Sequence, residues 1–418
     1  MLVTSPSNVQ DVCGRHGLNQ ISQTSGGSST SATYLVSATS VDPSIATDTD
    51  VLSFEADHAL GVPELSGTTQ GTLLQSATSV LDLLPARAPV TYFGSTVANY
   101  YVSQPASTLT RLGSVQGETS LTGAGIVVAV IDTGVDPNHP ALTGVLVPGF
   151  DFVHNTAGAS ELVDLSADQL ASLSQSNTSI LDGQNLVQLN SFTMAVLSQS
   201  NTSILDGGPK SFGHGTMTAG LVHLIAPNAK IMPLKAFSAD GGSDLFNIVQ
   251  AIRYAADNGA NVISMSFEIA QSSPTLQNAI QYALSKNVTI VAASGNDGQQ
   301  IMVYPAGYNS VIGVGSTSNQ DSKSAFTNFG TNSVYVAAPG EGVVTTFPGA
   351  HYAAGWGTSF SAPLVAGEAA LILQARPLYK PNDVANAVSK SIQVSQMGHG
   401  RVDFCQAVNS LGSGISCR

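Results

Sequence analysis

The stretch GAGIVVAVIDTGVDPNHP, residues 123–140, opens on an almost wholly β-branched apolar run, Ile126–Ile131, and the run ends at Asp132. A strand with one wet face alternates apolar and polar residues, whereas a strand covered on both faces reads as continuous apolar sequence. The run therefore predicts a strand buried in the middle of a sheet. Downstream, Ser243–Asp257 carries Leu245, Ile248, Val249, Ile252 and Ala256 at helical spacing, with Ser243 as expected N-cap and Gly259 just past the end. Val262–Phe267 reads as a strand, Thr275–Lys286 as a helix and Val288–Ala293 as a strand. Strands separated by helices of this length imply right-handed crossovers and a mostly parallel sheet with helices on both faces, an α/β fold. In such sheets function sits at the carboxyl ends of the strands.

Composition narrows the function classes. The chain has 418 residues, a net charge of −13, 10% charged and 43% hydrophobic residues, and a mean hydropathy of +0.16. It is too apolar for a mostly disordered chain. The acidic balance argues against a nucleic-acid surface, which needs clustered Lys and Arg. No apolar run approaches the ~20 residues of a membrane span. Surface polarity must come largely from Ser, Thr, Asn and Gln, as in many exported proteins. An extracellular or periplasmic location is the expectation, although MLVTSPSNVQ lacks the basic start and apolar stretch of a leader. Cys405 and Cys417 lie 12 apart and can close a small loop in an oxidising compartment or remain free thiols; Cys13 is left over.

Residues 1–60 read as a small α/β unit, with a turn at Gly26–Ser29 and strands at Thr33–Ser37 and Val51–Glu55. Residues 61–100 are rich in Gly, Thr, Ser and Pro and read as a linker, leaving 101–418 as the main domain. LSQSNTSILDG occurs at Leu173–Gly183 and again at Leu197–Gly207, inside an insert at 155–210. Two copies are too few for a solenoid. Leu170, Leu173, Ile180 and Leu181, with Met194, Leu197, Ile204 and Leu205, suggest two short amphipathic pieces, with a plain surface bulge as the alternative. His139, His351 and His399 have no metal-ligand spacing. Asn177, Asn201 and Asn287 match the glycosylation acceptor pattern, which is short and common.

Reactive residues recur at element boundaries. Asp132 ends the buried strand, His214 sits in SFGHGTMTAG before a helical stretch, and Ser359 in GWGTSFSAPLVAGEAALI opens an expected helix through Leu371. Carboxylate, imidazole and hydroxyl are the set that makes a neutral alcohol nucleophilic. Small neighbours of Ser359 should leave its hydroxyl accessible, and the helix start beneath it offers a backbone N–H to an oxyanion. Asn296, in AASGNDG after a buried strand, is the candidate second donor.

DTGVDPNHP, GHGTMTAG, SGNDG and GTSFSAP together resemble the motifs of the subtilisin-like serine proteases, from about Tyr101 to about Asp403. The resemblance implies Asp132 as orienting carboxylate, His214 as general acid/base, Ser359 as nucleophile and Asn296 as oxyanion donor. It implies a serine endopeptidase acting on protein or peptide substrates, needing no cofactor and working as a monomer. GRHGL and FEADHAL make residues 1–60 similar to the family's inhibitory prodomain, which implies an intramolecular inhibitor released by self-processing within 61–100. Substrate contacts carry over to Ser266, Phe267 and Glu268 and to Ala293, Ser294, Gly295 and Asp297, as strand edges that pair with an extended peptide. Glu268 stands where the family usually has glycine. Met217 and Thr218 replace the usual His and Val after the histidine. The family's usual strong calcium site lacks its acidic residue, Ala141 standing there, and lacks its extra loop after Leu224; calcium elsewhere remains open. A catalytically silent peptide-binding protein and an esterase on the same scaffold are the alternatives.

Overall fold

The computed structural model describes residues 1–5, 9–23, 32–38, 40, 42–61, 88–175 and 211–417. The expected turn at Gly26–Ser29 and nearly all of the duplicated segment lie outside them. Strands β1 (Leu2–Ser5), β2 (Asn19–Gln23), β3 (Ala32–Ser37) and β4 (Ser53–Glu55) form an antiparallel sheet in the order β2-β3-β1-β4. Side chains alternate across this sheet. Val3, Tyr34 and Val36 face Val9, Val12 and Cys13 of the helix Val9–His16 and make a small separate core. Leu2 and its register partner Leu35 face the other way and join the core of the main domain. Beyond β4 the chain leaves this unit as β5 (Ala59–Gly61).

The end of the expected linker is folded. β6 (Pro89–Tyr92) and β7 (Ser95–Ala98) form a hairpin across Phe93 and Gly94, both at positive φ (44° and 92°). Two central residues of that conformation match the twist of a tight hairpin. Tyr92 and Val97 bury themselves in the core of the main domain. Residues 89–98, expected as linker, thus belong to the folded body.

The main domain is built on β8 (Val127–Asp132), β9 (Phe150–Asp151), β10 (Thr156–Ala157), β11 (Lys230–Lys235), β12 (Gly242–Asp244), β13 (Val262–Met265), β14 (Thr289–Ala293), β15 (Val311–Thr317), β16 (Val336–Pro339), β17 (Val343–Phe347), β18 (His351–Gly355), β19 (Ser391–Ile392) and β20 (Arg401–Val402). Ten of these run in one sheet in the order β10-β9-β11-β8-β13-β14-β15-β16-β20-β19. All neighbours in it are parallel except the two outermost pairs, β10 with β9 and β19 with β20. β17 and β18 form a separate hairpin.

The continuous apolar run at β8 has the predicted cause. Val128 and Val130 pack on one face, against the helices His214–Ile225 and Thr358–Ala375. Ala129 and Ile131 pack on the other, against the helices Leu245–Asp257 and Pro274–Ser285. Both faces are dry, so no polar residue is admitted. The chain passes from β11 on one side of β8 to β13 on the other, so the order reverses at β8. That reversal is the switch point of the sheet, and the carboxyl ends of β8, β13 and β14 meet there.

One cap differs from expectation. The helix Leu245–Asp257 is capped by Asp244, whose Oδ1 accepts from the Asn247 N–H at 2.8 Å, while the Ser243 hydroxyl donates to the Ala236 carbonyl at 2.6 Å. Both residues are good caps, and pairing of β12 decides between them. At the carboxyl end Cys405 and Cys417 are joined in a disulfide, while Cys13 is buried and free. Among the described residues, no helix is long and apolar enough to cross a membrane.

Candidate active site

Asp132 is the last residue of β8 and is 2% exposed. Its Oδ1 accepts from His214 Nδ1 at 2.6 Å and from the Thr133 N–H at 2.7 Å. Its Oδ2 lies 3.1 Å from the Thr218 hydroxyl, which is also 3.1 Å from the Gly215 carbonyl. A proton on Nδ1 facing Asp132 leaves Nε2 as the basic nitrogen. His214 is the first residue of the helix His214–Ile225, whose N-cap is Gly213. Gly215 is required by close approach, since a Cβ there would lie 1.9 Å from the Gly134 carbonyl oxygen on the loop after Asp132. The histidine ring meets the Phe360 ring at 5.6 Å between centroids, which brings it to the start of the other helix.

That helix, Thr358–Ala375, begins one residue before Ser359. Ser359 is therefore in its first turn, where backbone N–H groups have no partner within the helix. The Ser359 hydroxyl donates to the Ser266 carbonyl at 3.4 Å, and the Ser266 hydroxyl donates to the Ser359 carbonyl at 3.0 Å. Ser359 has no exposed surface, contrary to the accessibility expected from its small neighbours; it lies beneath the strand-end loops with its oxygen against Ser266. Asn296 Oδ1 accepts from the Thr358 N–H at 2.9 Å and from the Thr358 hydroxyl at 3.1 Å. With its oxygen committed to Thr358 beside Ser359, the amide keeps its NH₂ group as its donor end.

The substrate-binding candidates divide by side chain. Phe267 is in the core against Phe237, with ring centroids 5.3 Å apart, and Ala293 and Ser294 are fully buried, so these three offer main chain only. Glu268 and Gly295 are in direct contact, because a Cβ on Gly295 would fall 1.7 Å from Glu268 Oε2. Asp297 Oδ2 accepts from Asn328 Nδ2 at 3.1 Å, and the Asp297 N–H donates to Asn328 Oδ1 at 3.0 Å. The structure thus gathers Glu268, Gly295, Asp297 and the unanticipated Asn328 beyond the ends of β13 and β14. Trp356 is buried, as are His139 and His351, which are joined through His139 Nε2 and the His351 carbonyl at 2.9 Å. The His399 ring meets the Tyr335 ring edge-on, with centroids 4.7 Å apart.

Three contributions were not legible in advance. Thr218, noted only as a departure from the family pattern, reaches Asp132 directly. Glu161, from the head of the insert, is buried against the residues flanking Asp132 and His214. Third, the edge that holds an extended segment in this chain is β12, paired antiparallel with β5 from Ala59↔Asp244 to Gly61↔Gly242. β12 belongs to the histidine side of the sheet end, since the Ser211 N–H donates to the Ala239 carbonyl at 2.8 Å between them.

Comparison with known proteins agrees with this geometry. The Subtilase family profile matches residues 123–407. The chain belongs to the subtilase family. It is 35% identical over 249 residues to the thermophilic serine proteinase of Bacillus sp. (strain AK1), covering 60% of this chain and 52% of that protein. It is 33% identical over 260 residues to thermitase of Thermoactinomyces vulgaris, covering 60% and 75%. The chain thus spans about half the length of the first of these relatives and three-quarters of the second. Among solved structures, a protease of Pseudoalteromonas arctica superposes with a TM-score of 0.58 at 28% identity, covering 75% of this chain and 96% of that one. A cold-adapted subtilisin-like serine proteinase gives 0.53 at 27%, covering 68% and 89%. The sheet and its helices have the subtilisin-like arrangement, the fold of a family of serine endopeptidases. The family's chemistry needs no cofactor, and among the described residues no group of three or more His, Cys, Asp and Glu side chains is placed to hold a metal ion.

Proposed function

We propose that the chain is an extracellular or periplasmic endopeptidase working through an acyl-enzyme on Ser359, made as a precursor inhibited by its own residues 1–61. The Asp132–His214 hydrogen bond of 2.6 Å at the switch point, next to the Asn296-anchored helix start, is the observation that carries the catalytic reading. The Ser359 proton passes to His214 Nε2 as Oγ bonds the carbonyl carbon, and the carbonyl electron pair moves onto oxygen. Asn296 and a helix N–H receive that oxyanion. His214 then protonates the leaving amine as the C–N bond breaks, and water repeats the cycle on the ester. Asp132 keeps the ring in its tautomer, with Thr218 bracing the carboxylate.

The precursor reading rests on β5, which lies on β12 as a substrate strand would. The disulfide favours an oxidising compartment. Replacing Ser359 by Ala should leave folding intact, lower kcat by about 10⁴–10⁶ and leave the chain at full length, whereas wild type cuts itself between residues 62 and 100. An S359A protein that still digests casein and trims itself refutes the reading. Asn296→Ala should cost less, about 10²–10³ in kcat. Glu268 and Asp297 are assigned to a pocket favouring Lys or Arg before the scissile bond. Charge reversal there should remove that preference, and a wild-type profile dominated by Phe, Leu or Tyr contradicts the assignment. Dependence on calcium should be weak, with chelation moving the unfolding temperature only slightly.

A further inference from the structure

We propose that Glu161 is a positioning residue of the triad: its carboxylate, reaching in from the head of the insert, holds the groups that flank Asp132 and His214. The inference rests on the triad reading above. Glu161 lies in the short turn Glu161–Asp164 and has no exposed surface. Its Oε2 accepts from the Gly213 N–H at 2.8 Å and from the Thr133 hydroxyl at 3.2 Å. Its Oε1 accepts from the Thr216 N–H at 3.3 Å and from the Thr216 hydroxyl. Gly213 and Thr216 bracket His214, and Thr133 follows Asp132. Each hydroxyl is also an acceptor, Thr133 for the Gly215 N–H at 2.9 Å and Thr216 for the Asp136 N–H at 2.7 Å. The histidine helix has no side-chain cap of its own, so Glu161 supplies in trans the anion that its first-turn N–H groups and dipole call for.

Acceptor capacity explains why a carboxylate is needed. Four donors converge on two oxygens, and protonation or amidation turns one end into a donor facing donors. The charged groups around it are Asp132 at the end of β8 and Asp136 on the loop after it, His214 on its helix, Lys235 at the end of β11, and Asp164 on its own turn. Lys235 Nζ donates to Asp164 Oδ2 at 2.6 Å and to the Thr133 carbonyl at 2.9 Å, so the cation is tied into the same frame. Burial pushes the Glu161 pKa up to about 7; the hydrogen bonds from Thr216 and Gly213 and the charge of Lys235 oppose this, while Asp132 adds to it. Below neutral pH the clamp is protonated and its grip on the histidine loop is lost.

The test is kcat for a short chromogenic peptide between pH 5 and 10, on the full chain after self-processing, normalised by active-site titration with a fluorophosphonate. Wild type should lose activity through two protons on the acid side, one on His214 and one on Glu161. Glu161→Gln should lower kcat about tenfold at pH 8.5 with KM within twofold, and leave a one-proton acid limb. Thr216→Val is the second variant, usable if E161Q fails to fold. It removes the hydroxyl that does most to hold the Glu161 pKa down, so the acid limb should move to higher pH. An E161Q enzyme with wild-type kcat and an unchanged two-proton limb overturns the inference, as does an unmoved limb in T216V. Activity surviving in S359A would instead remove the triad reading beneath it.

Discussion

The chain contains two α/β pieces that solve the same burial problem differently. In the main domain both faces of the sheet are covered by helices, and residues such as Val130 and Ile131 on adjacent positions go into opposite cores. Such a body has enough packing to hold costly polar groups inside, including Asp132, Glu161 and Lys235, each satisfied by several partners. Among the described residues, the unit at 1–61 has one α-helix, of eight residues, over one face of a four-stranded sheet. A core of that size is marginal alone. Its other face, with Leu2 and Leu35, is finished by the main domain. One piece fills both of its cores from its own helices and sheet, and the other completes its burial against the first.

The docking contacts are where this comparison breaks most readily. Glu55 Oε1 accepts from the Ser273 hydroxyl at 2.7 Å and the Thr275 N–H at 2.6 Å, at the start of the helix Pro274–Ser285. Asp57 Oδ1 accepts from the Phe246 N–H at 3.1 Å, at the start of the helix Leu245–Asp257. Two carboxylates thus cap two helices of the body, each contact contributing about 1.5–3 kcal/mol as a hydrogen bond to a charged group. Replacing both by Ala should weaken inhibition of the processed enzyme by residues 1–61 at least about 100-fold. Unchanged inhibition would mean that the β5–β12 pairing alone holds the unit.

A smaller effect should separate the two cores. Val12→Ala, in the small core, removes about 2 kcal/mol of packing and has little to compensate it. Inhibition should fall about tenfold while the processed enzyme is untouched. The matching change Val130→Ala should lower the unfolding temperature of the body and leave inhibition by residues 1–61 unaltered. Equal responses would show one cooperative fold rather than a body and a dependent unit.

The same contrast governs what could be read in advance. The places of Asp132, His214, Asn296 and Ser359 at strand ends and helix starts were legible because buried strands announce themselves by composition and each of these residues sits near a glycine at an element boundary. Glu161 was not, because it lies in a segment without periodicity and all its side-chain partners are 28 or more residues away. The pairing of β5 with β12 was hidden for the same reason: a three-residue strand has no pattern of its own until its edge is supplied. The hairpin of β6 and β7 did carry a signal, Phe93-Gly94 between alternating Val90, Tyr92 and Val97, that a count of Gly, Thr, Ser and Pro averages away.

The smallest expected effect is a pH dependence confined to the dependent unit. His16 Nδ1 lies 2.9 Å from Asp42 Oδ2 and its Nε2 lies 2.7 Å from Asp48 Oδ2, with Arg15 pairing to Asp48 and Asp50. Hydrogen bonds to Asp42 and then Asp48 raise the His16 pKa above its ordinary 6.5. Asp42 is lowered to about 2, chiefly by the Ser44 hydroxyl and then His16, and Asp48 to about 2, chiefly by the Asp50 N–H and then His16 and Arg15. A raised histidine stabilises fully below 6.5, and that contribution is lost as pH rises through its folded value. Lowered carboxylates stabilise above 3.8, and theirs is lost as pH falls toward 2. The unit should therefore be firmest between about pH 4 and 6.5 and loosen on the alkaline side, where release from the body becomes easier. Arg15, Asp42 and Asp50 at the rim of the cluster are open to solvent, so the change in inhibitory strength should be only several-fold, measured for residues 1–61 against processed enzyme from pH 5 to 9. His16→Gln should abolish the alkaline decline while leaving the Glu161-dependent limb of the enzyme in place. A decline that persists in that variant would place the sensor in the body, and the two pieces would then differ in size but not in how they answer to protons.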